Sequence, residues 1–300
     1  MAEEEEDIIS TLPDVLLCHI LSFLQTKQAV ATTILSKRWN NLCLSVPSLY
    51  FKTTITTIDQ NFRFNDNVYT VLLSRHSAVK GFRLKLIYDY PQILYLRGPI
   101  NSIFKWLNYV VQRGVECLDL RLRITFWEAE NLVLNLPISI LTCKTLVVLK
   151  LCSYGVQQGS SSVLLPSLKT LHLKLVWFPK LRDLMLFLTG CPILQDLYTY
   201  DLYFDSEESL TCNEWKSFCL SNLTRADIDC FHSHLTLEAV QNVSSLRFEI
   251  DQVYSHNGFI PTFHNLTQLE LLHLNYSWGF LLEVLKHCPM LQKLELHEVC

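Results

Sequence analysis

The sequence predicts an α/β protein in which three short N-terminal helices lead into a solenoid whose strands line up as a parallel sheet on its concave face. Three observations predict it. Residues 12–42, LPDVLLCHILSFLQTKQAVATTILSKRWNNL, carry helix start signals at short intervals. From Val79 onward a phrase of the form apolar-x-x-apolar-x-apolar returns nine times. A hydrophobic content of 49% with 18% charged residues over 300 residues is that of a packed globular chain, long enough for one large or two smaller domains.

The helices come first. Pro13 suits a first helical turn because its missing N–H has no partner there in any case, and Asp14 favours the positive helix end. A helix from about Pro13 to Leu24 follows, with Leu16, Leu17, Ile20, Leu21, Phe23 and Leu24 spread over more than one face. Thr26 can cap a second helix through about Leu35, and Ser36 a third through Trp39 and Leu42. A unit this small buries too little of its own apolar surface to be comfortably stable, so the surplus belongs against the rest of the chain or against a partner.

These residues resemble a known family. The run DIISTLPDVLLCHILSFLQTKQAVATTILSKRWNNL, followed by VPSLYF at Val46 to Phe51, is similar to the F-box of plant F-box proteins, with their LPD start, ILSFL helix, TK-AV-TS-LSKRW middle and VP-L-F close. Gln25 stands where that family usually has proline, and Cys43 where it usually has tryptophan. The resemblance implies an F-box over 7–52 behind an acidic tail at 1–6. It further implies that Leu12, Pro13, Leu16, Ile20, Leu21, Leu24, Leu35 and Trp39 dock on the Skp-type adaptor of an SCF-type cullin-RING ubiquitin ligase. The alternative is that the same side chains form only a local core against the following domain.

The repeats begin at Val79, Val115, Leu146, Leu168, Leu194, Leu223, Val243, Leu266 and Leu291, at intervals of 36, 31, 22, 26, 29, 20, 23 and 25 residues. The later intervals fall in the leucine-rich-repeat range, where L-x-x-L-x-L makes a short strand and the remainder returns as a helix or irregular segment. Thr199 and Ala226 replace expected leucines. GCPILQDL from Gly190 and HCPMLQKLEL from His287 resemble the L-GCP-LE-L-L phrase of plant F-box/leucine-rich-repeat proteins, which makes Cys191 and Cys288 interior spacers. The expected organisation is a helical connection over 53–78 and about nine irregular repeats over 79–300 without a C-terminal cap domain. Residues 64–76 and 100–114 have helical apolar spacing and are expected on the convex side. The absence of a Gly/Ser linker predicts a rigid junction, and GVQQGSSS at 155–162 is the one flexible loop expected. A final repeat strand so near Cys300 calls for a shortened sequence or an edge covered by a partner.

Composition excludes several function classes. A net charge of −4 and a pI near 6.2 give no general attraction to nucleic acid or anionic lipid, and neither is expected as a partner. The acidic N-terminus is unlike a secretory signal and no stretch reaches the length of a membrane span, so the expected location is cytoplasmic or nuclear. Eleven cysteines with irregular spacing and no CxxC pair are expected to be reduced. No nucleotide-binding, hydrolase or zincin motif occurs; the chain is expected to be non-catalytic and without a cofactor. The cluster DIDCFHSH offers Asp227, Asp229, Cys230, His232 and His234, but Asp227 and Asp229 share one strand face while Cys230 points to the other, so no metal site is expected.

In L-x-x-L-x-L strands the leucines point inward and the intervening residues line the concave face. Read that way, the face runs from Arg83, Lys85, Arg121, Arg123, Lys150, His172 and Lys174, with Asp119 the exception, through Tyr198 and Tyr200 to Asp227, Asp229, Glu249, Glu270 and Glu295, with Lys293 against the trend. The expectation is a basic-to-acidic gradient along which an unknown target protein lies, the tyrosines serving as anchors; the plain alternative is charge for solubility. The resemblance implies a substrate-recognition subunit whose F-box holds the adaptor and whose repeats hold a protein for ubiquitination. Two other readings stay open: a small-molecule receptor like the hormone-sensing F-box proteins, whose solenoids are longer, and an adaptor-binding protein with no ubiquitination target.

Overall fold

The computed structural model describes residues 8–75, 77–89, 97–125, 133–157, 163–206, 220–228, 237–249, 260–272 and 278–297. The N-terminal part holds α1 (Ile8–Thr11), α2 (Asp14–Ser22), α3 (Thr26–Ala31), a 3-10 turn at Thr32–Ile34 and α4 (Lys37–Ser45). Pro13 and Ser36 stand immediately before α2 and α4, where backbone N–H groups lack intrahelical partners, but the Ser36 side chain makes no capping hydrogen bond. Thr26 does not cap α3. Gln25 does the capping: its backbone N–H donates to Gln28 Oε1 at 3.1 Å, a bond that the proline usual here in similar sequences has no hydrogen to make. The buried Thr26 hydroxyl instead accepts from Tyr50 N at 2.8 Å. Leu17, Leu21, Ala29, Leu42, Cys43 and Val46 form a small core of their own.

Among the described residues ten strands follow in one parallel sheet, each paired with its neighbours in chain order. They are β1 (Ser48–Ile55), β2 (Gly81–Tyr88), β3 (Cys117–Ile124), β4 (Val148–Cys152), β5 (Thr170–Phe178), β6 (Asp196–Phe204), β7 (Arg225–Ile228), β8 (Ser245–Glu249), β9 (Gln268–Leu272) and β10 (Lys293–His297). Chain-order parallel pairing with no crossover is what a coil advancing one turn per repeat produces. The sheet therefore begins thirty-odd residues ahead of Val79. Val46, Leu49 and Phe51 satisfy the same apolar-x-x-apolar-x-apolar phrase as the later repeats, so VPSLYF both closes the helical unit and opens the sheet.

Two rows of inward residues build the core from β1 to β9, while their last members on β10, Leu294 and Leu296, are partly exposed. Leu49, Phe82, Leu118, Leu149, Leu171, Leu197, Ala226, Leu246, Leu269 and Leu294 stand side by side in register, and two residues on runs the row from Phe51 and Leu84 to Leu271 and Leu296. Thr199 and Ala226 occupy leucine positions and are buried; the Thr199 hydroxyl has no hydrogen-bond partner. On the core side lie α5 (Ile58–Leu73), α6 (Arg97–Gln112), α7 (Ile138–Leu141), α8 (Leu181–Thr189), a 3-10 turn at Leu237–Val240 and α9 (Trp278–Lys286). The helix α5 starts before residue 64 because Thr57 Oγ1 accepts from Gln60 N at 3.2 Å and caps it earlier. Cys191 and Cys288 are buried, and burial raises their thiol pKa values to about 12 and about 11.

Candidate binding surfaces

Packing Leu17 and Leu21 inward leaves the rest of α2 facing solvent. Val15 (78% exposed), Phe23 (72%), Leu16 and Ile20 (48% each), together with Leu35 (63%) and Ile34 (89%) from the far end of the unit, remain uncovered. Pro13 is exposed, and Leu12, Leu24 and Trp39 lie half-buried against the small core. Leu21, expected at the interface, is 2% exposed: it supports the helix from beneath and does not face outward. Val15, Phe23 and Ile34 are absent from the expected interface set; the signal that marks Val15 and Phe23 is an α2 too apolar all round for a single buried stripe, and Ile34 belongs to the 3-10 turn after α3. Arg38 is a further positioning residue. Its guanidinium donates to Asp14 Oδ1 from Nε (2.9 Å) and Nη2 (2.6 Å), and from Nη2 to the Leu12 carbonyl (2.5 Å), which ties the start of α4 to the Leu12–Asp14 turn.

The second surface is the open face of the sheet, opposite the core. Arg83, Asp119, Lys150, His172, Tyr198 and Asp227 lie in one register row, which continues through Arg247, Glu270 and Glu295. Lys52, Lys85, Arg121, Cys152, Lys174 and Tyr200 form the next row, and Arg123 sits two residues beyond Arg121. The expected basic residues and tyrosines thus share a face with Asp119, and Asp119 and His172 behave differently from their formal charges. Asp119, only 4% exposed, is held between Arg83 (3.2 Å) and Arg121 (2.9 Å). His172 stacks on Tyr198 with ring centroids 4.0 Å apart; burial first, and the nearby Lys150 ammonium second, lower its pKa to about 4, so at neutral pH it carries no charge and adds nothing to the basic half.

Toward the far end the carboxylates are already engaged. Arg247, which the sequence reading passed over, bridges Asp227 (3.1 Å) and Glu270 (3.0 Å), and Lys293 pairs with Glu295 (2.7 Å). Glu270, Glu295 and His297 bring ligand atoms within 4.8 Å of one another, yet these carboxylates face Arg247 and Lys293. Asp229, Cys230, His232 and His234 lie outside the described residues, as do residues 158–162 of the expected loop. A pocket of about 630 Å³ opens at the basic end, lined by Lys52, Lys85, Arg121 and Arg123 together with Ser153 and Leu175.

The F-box domain family matches residues 9–51, and the leucine-rich repeats of the FBD-associated F-box protein At5g56370 match residues 103–248. The chain belongs to the plant F-box/LRR-repeat proteins. It is 38% identical to the F-box/LRR-repeat protein At4g14103 of Arabidopsis thaliana, over 65% of this chain and 50% of the relative. To the F-box/LRR-repeat protein At4g14096 of the same plant it is 37% identical, over 65% of this chain and 40% of the relative. It is 29% identical to the F-box/FBD/LRR-repeat protein At4g26340, over 97% of this chain and 77% of the relative. The chain thus spans about half the length of several curated relatives it matches. Within this F-box/LRR-repeat protein the F-box match coincides with the unit carrying the exposed apolar face, and the repeat match covers the sheet from before β3 to β8. Among the described residues no helix is long and apolar enough to cross a membrane.

Proposed function

We propose that this F-box/LRR-repeat protein is the substrate-recognition subunit of an SCF-type ubiquitin ligase, acting in the cytoplasm or nucleus. Its F-box binds the Skp-type adaptor and its sheet holds a target protein. The observation that carries the reading is the apolar face of Val15, Leu16, Ile20, Phe23, Ile34 and Leu35, exposed above a core that is already filled by Leu17 and Leu21. Exposed apolar surface of this density on one small unit is the mark of a protein interface. The subunit has no bond to make or break: holding the target beside the ligase raises the effective concentration of its lysines at the transfer site. The experiment is co-expression with a plant Skp-type adaptor and affinity capture. Wild type is expected to co-purify with the adaptor in stoichiometric amount, and capture of no adaptor by a folded chain defeats the reading.

A further inference from the structure

We infer that the pocket over β1 to β3 binds an acidic, extended segment of a partner protein through Lys52, Lys85, Arg121 and Arg123; this rests on the target-receptor reading above. Lys52, Lys85 and Arg121 are direct cross-strand neighbours in register, and like charges placed opposite one another on adjacent strands are destabilising. Local relief is partial: Lys85 Nζ lies 5.7 Å from the centroid of the Tyr50 ring. Among the described residues no carboxylate comes within 4 Å of Lys52, Lys85 or Arg123, whereas Arg121 is shared with Asp119 at 2.9 Å. The same residues line a space of about 630 Å³ that side chains do not fill.

A second observation points to the same place. Ser153 and Leu175 also line the pocket, and their φ angles are 62° and 52°. Neither is glycine, and a left-handed conformation at such residues costs of order 1 kcal/mol or more each, a kind of strain that collects at binding sites.

The geometry favours a peptide over a compact ion. Neighbouring strands are about 4.8 Å apart, so the row from Lys52 on β1 to Tyr200 on β6 is about 24 Å long. Side chains on one face of an extended peptide recur about every 6.8 Å, wider than the roughly 4.8 Å between successive cations, a difference that the long Lys and Arg side chains take up by leaning along the row. Beyond Cys152 the row continues to Lys174, whose Nζ lies 4.3 Å from the Tyr200 ring centroid, a site for an apolar or aromatic residue further along the segment. The Arg123 guanidinium adds a fork that takes a carboxylate through two hydrogen bonds.

The test is fluorescence anisotropy on the full chain, with and without co-expressed adaptor, with a labelled peptide of alternating Glu and Gly and its Gln–Gly counterpart as probes. The acidic peptide is expected to bind at least about tenfold more tightly than the neutral one, to weaken as salt rises, and to weaken about tenfold or more in the triple variant Lys52→Gln, Lys85→Gln, Arg123→Gln. Should the triple variant fail to fold, Lys52→Gln alone, at a well-exposed position, is expected to weaken binding severalfold. Equal binding of both peptides, or acidic-peptide binding indifferent to these changes, overturns the inference. Tripolyphosphate that binds in a Lys52- and Lys85-dependent manner while the acidic peptide does not compete with it also overturns it, by assigning the pocket to a small polyanion. Adaptor capture reports separately on the ligase reading: a chain that captures adaptor and ignores the peptide loses the pocket assignment alone, and one that binds the peptide and no adaptor loses the ligase assignment alone.

Discussion

Arg75 donates from Nη2 to the carbonyl of Cys43 at 2.9 Å and from Nη1 to the carbonyl of Val46. The residue follows α5, thirty residues after the carbonyls it reaches, and only 3% of it is exposed. One buried guanidinium therefore satisfies the end of α4 and joins the F-box to the first turn of the solenoid. Burial lowers the Arg75 pKa, yet an arginine stays protonated throughout the working range. Arg75→Met leaves two buried carbonyls without a donor, and is expected to cost about 2–4 kcal/mol, read as a lower urea midpoint. Arg75→Lys is expected to recover a part of that loss, since one ammonium lacks the fork that spans both carbonyls. Wild-type stability in Arg75→Met removes the joint.

Two kinds of leucine-like residue in the F-box are distinguishable by experiment. Phe23→Asp with Ile34→Asp alters side chains that are mostly in water, so the urea midpoint is expected to stay within about 0.5 kcal/mol of wild type while adaptor affinity falls about a hundredfold. Leu21→Ala is expected to do the opposite first: removal of a fully buried leucine costs about 2–4 kcal/mol, and adaptor binding weakens only as the unit unfolds. Reversed results, a destabilised Phe23/Ile34 variant that keeps its adaptor, show that this face packs on the chain itself.

Gly190 ends α8, and a Cβ built on it would lie 2.6 Å from the Val163 carbonyl oxygen and 2.8 Å from the Val163 side chain. The backbone of the preceding repeat runs against it, with Leu165 N donating to the Gly190 carbonyl at 2.9 Å. His287 makes the same handoff in the last repeat, accepting from Phe263 N at 2.8 Å, so the turn itself tolerates a side chain and only the approach of Val163 demands glycine. Gly190→Ala is expected to destabilise the solenoid by about 1–3 kcal/mol. Thermal unfolding that matches wild type shows the two repeats separating without cost.

The leucine rows were legible because a fixed phrase fixes the strand, its inward residues and its parallel neighbours at once. VPSLYF shows where such reading went astray: one phrase served two units, and its place in the F-box pattern hid its role as β1. The exposed face of α2 was legible in outline, but not the division of Leu21 from Ile20, which depends on how Leu42 and Cys43 close the small core. Charge on the open face was the least legible feature. Reading one residue at a time counted His172 as basic and passed over Arg247, whereas stacking on Tyr198 and the pairing of Arg247 with Asp227 and Glu270 exist only once neighbouring repeats are in register. Ser153 and Leu175 carry no glycine or asparagine signal for their left-handed turns.

The pKa of His172 gives the open face a measurable pH response. In the unfolded chain the ring titrates near 6.5; in the folded protein, burial and then Lys150 bring it to about 4, with Arg121 acting in the same direction and Asp119 and Asp196 opposing. Between these values the unfolded state binds the proton and the folded state does not, so stability is fully present above about pH 6.5 and declines as pH falls toward 4. The full shift corresponds to roughly 3 kcal/mol, and because the ring is half-exposed, screening reduces this to about 1–2 kcal/mol. His172→Phe keeps an aromatic face for Tyr198 and has no proton to take up. Urea midpoints at pH 7.5 and pH 5 are therefore expected to differ less in His172→Phe than in wild type, while the acidic groups common to both chains contribute equally to each. An identical difference in the two proteins means that His172 is protonated in the folded state, and that the basic half of the sheet carries one more charge than its stacking geometry implies.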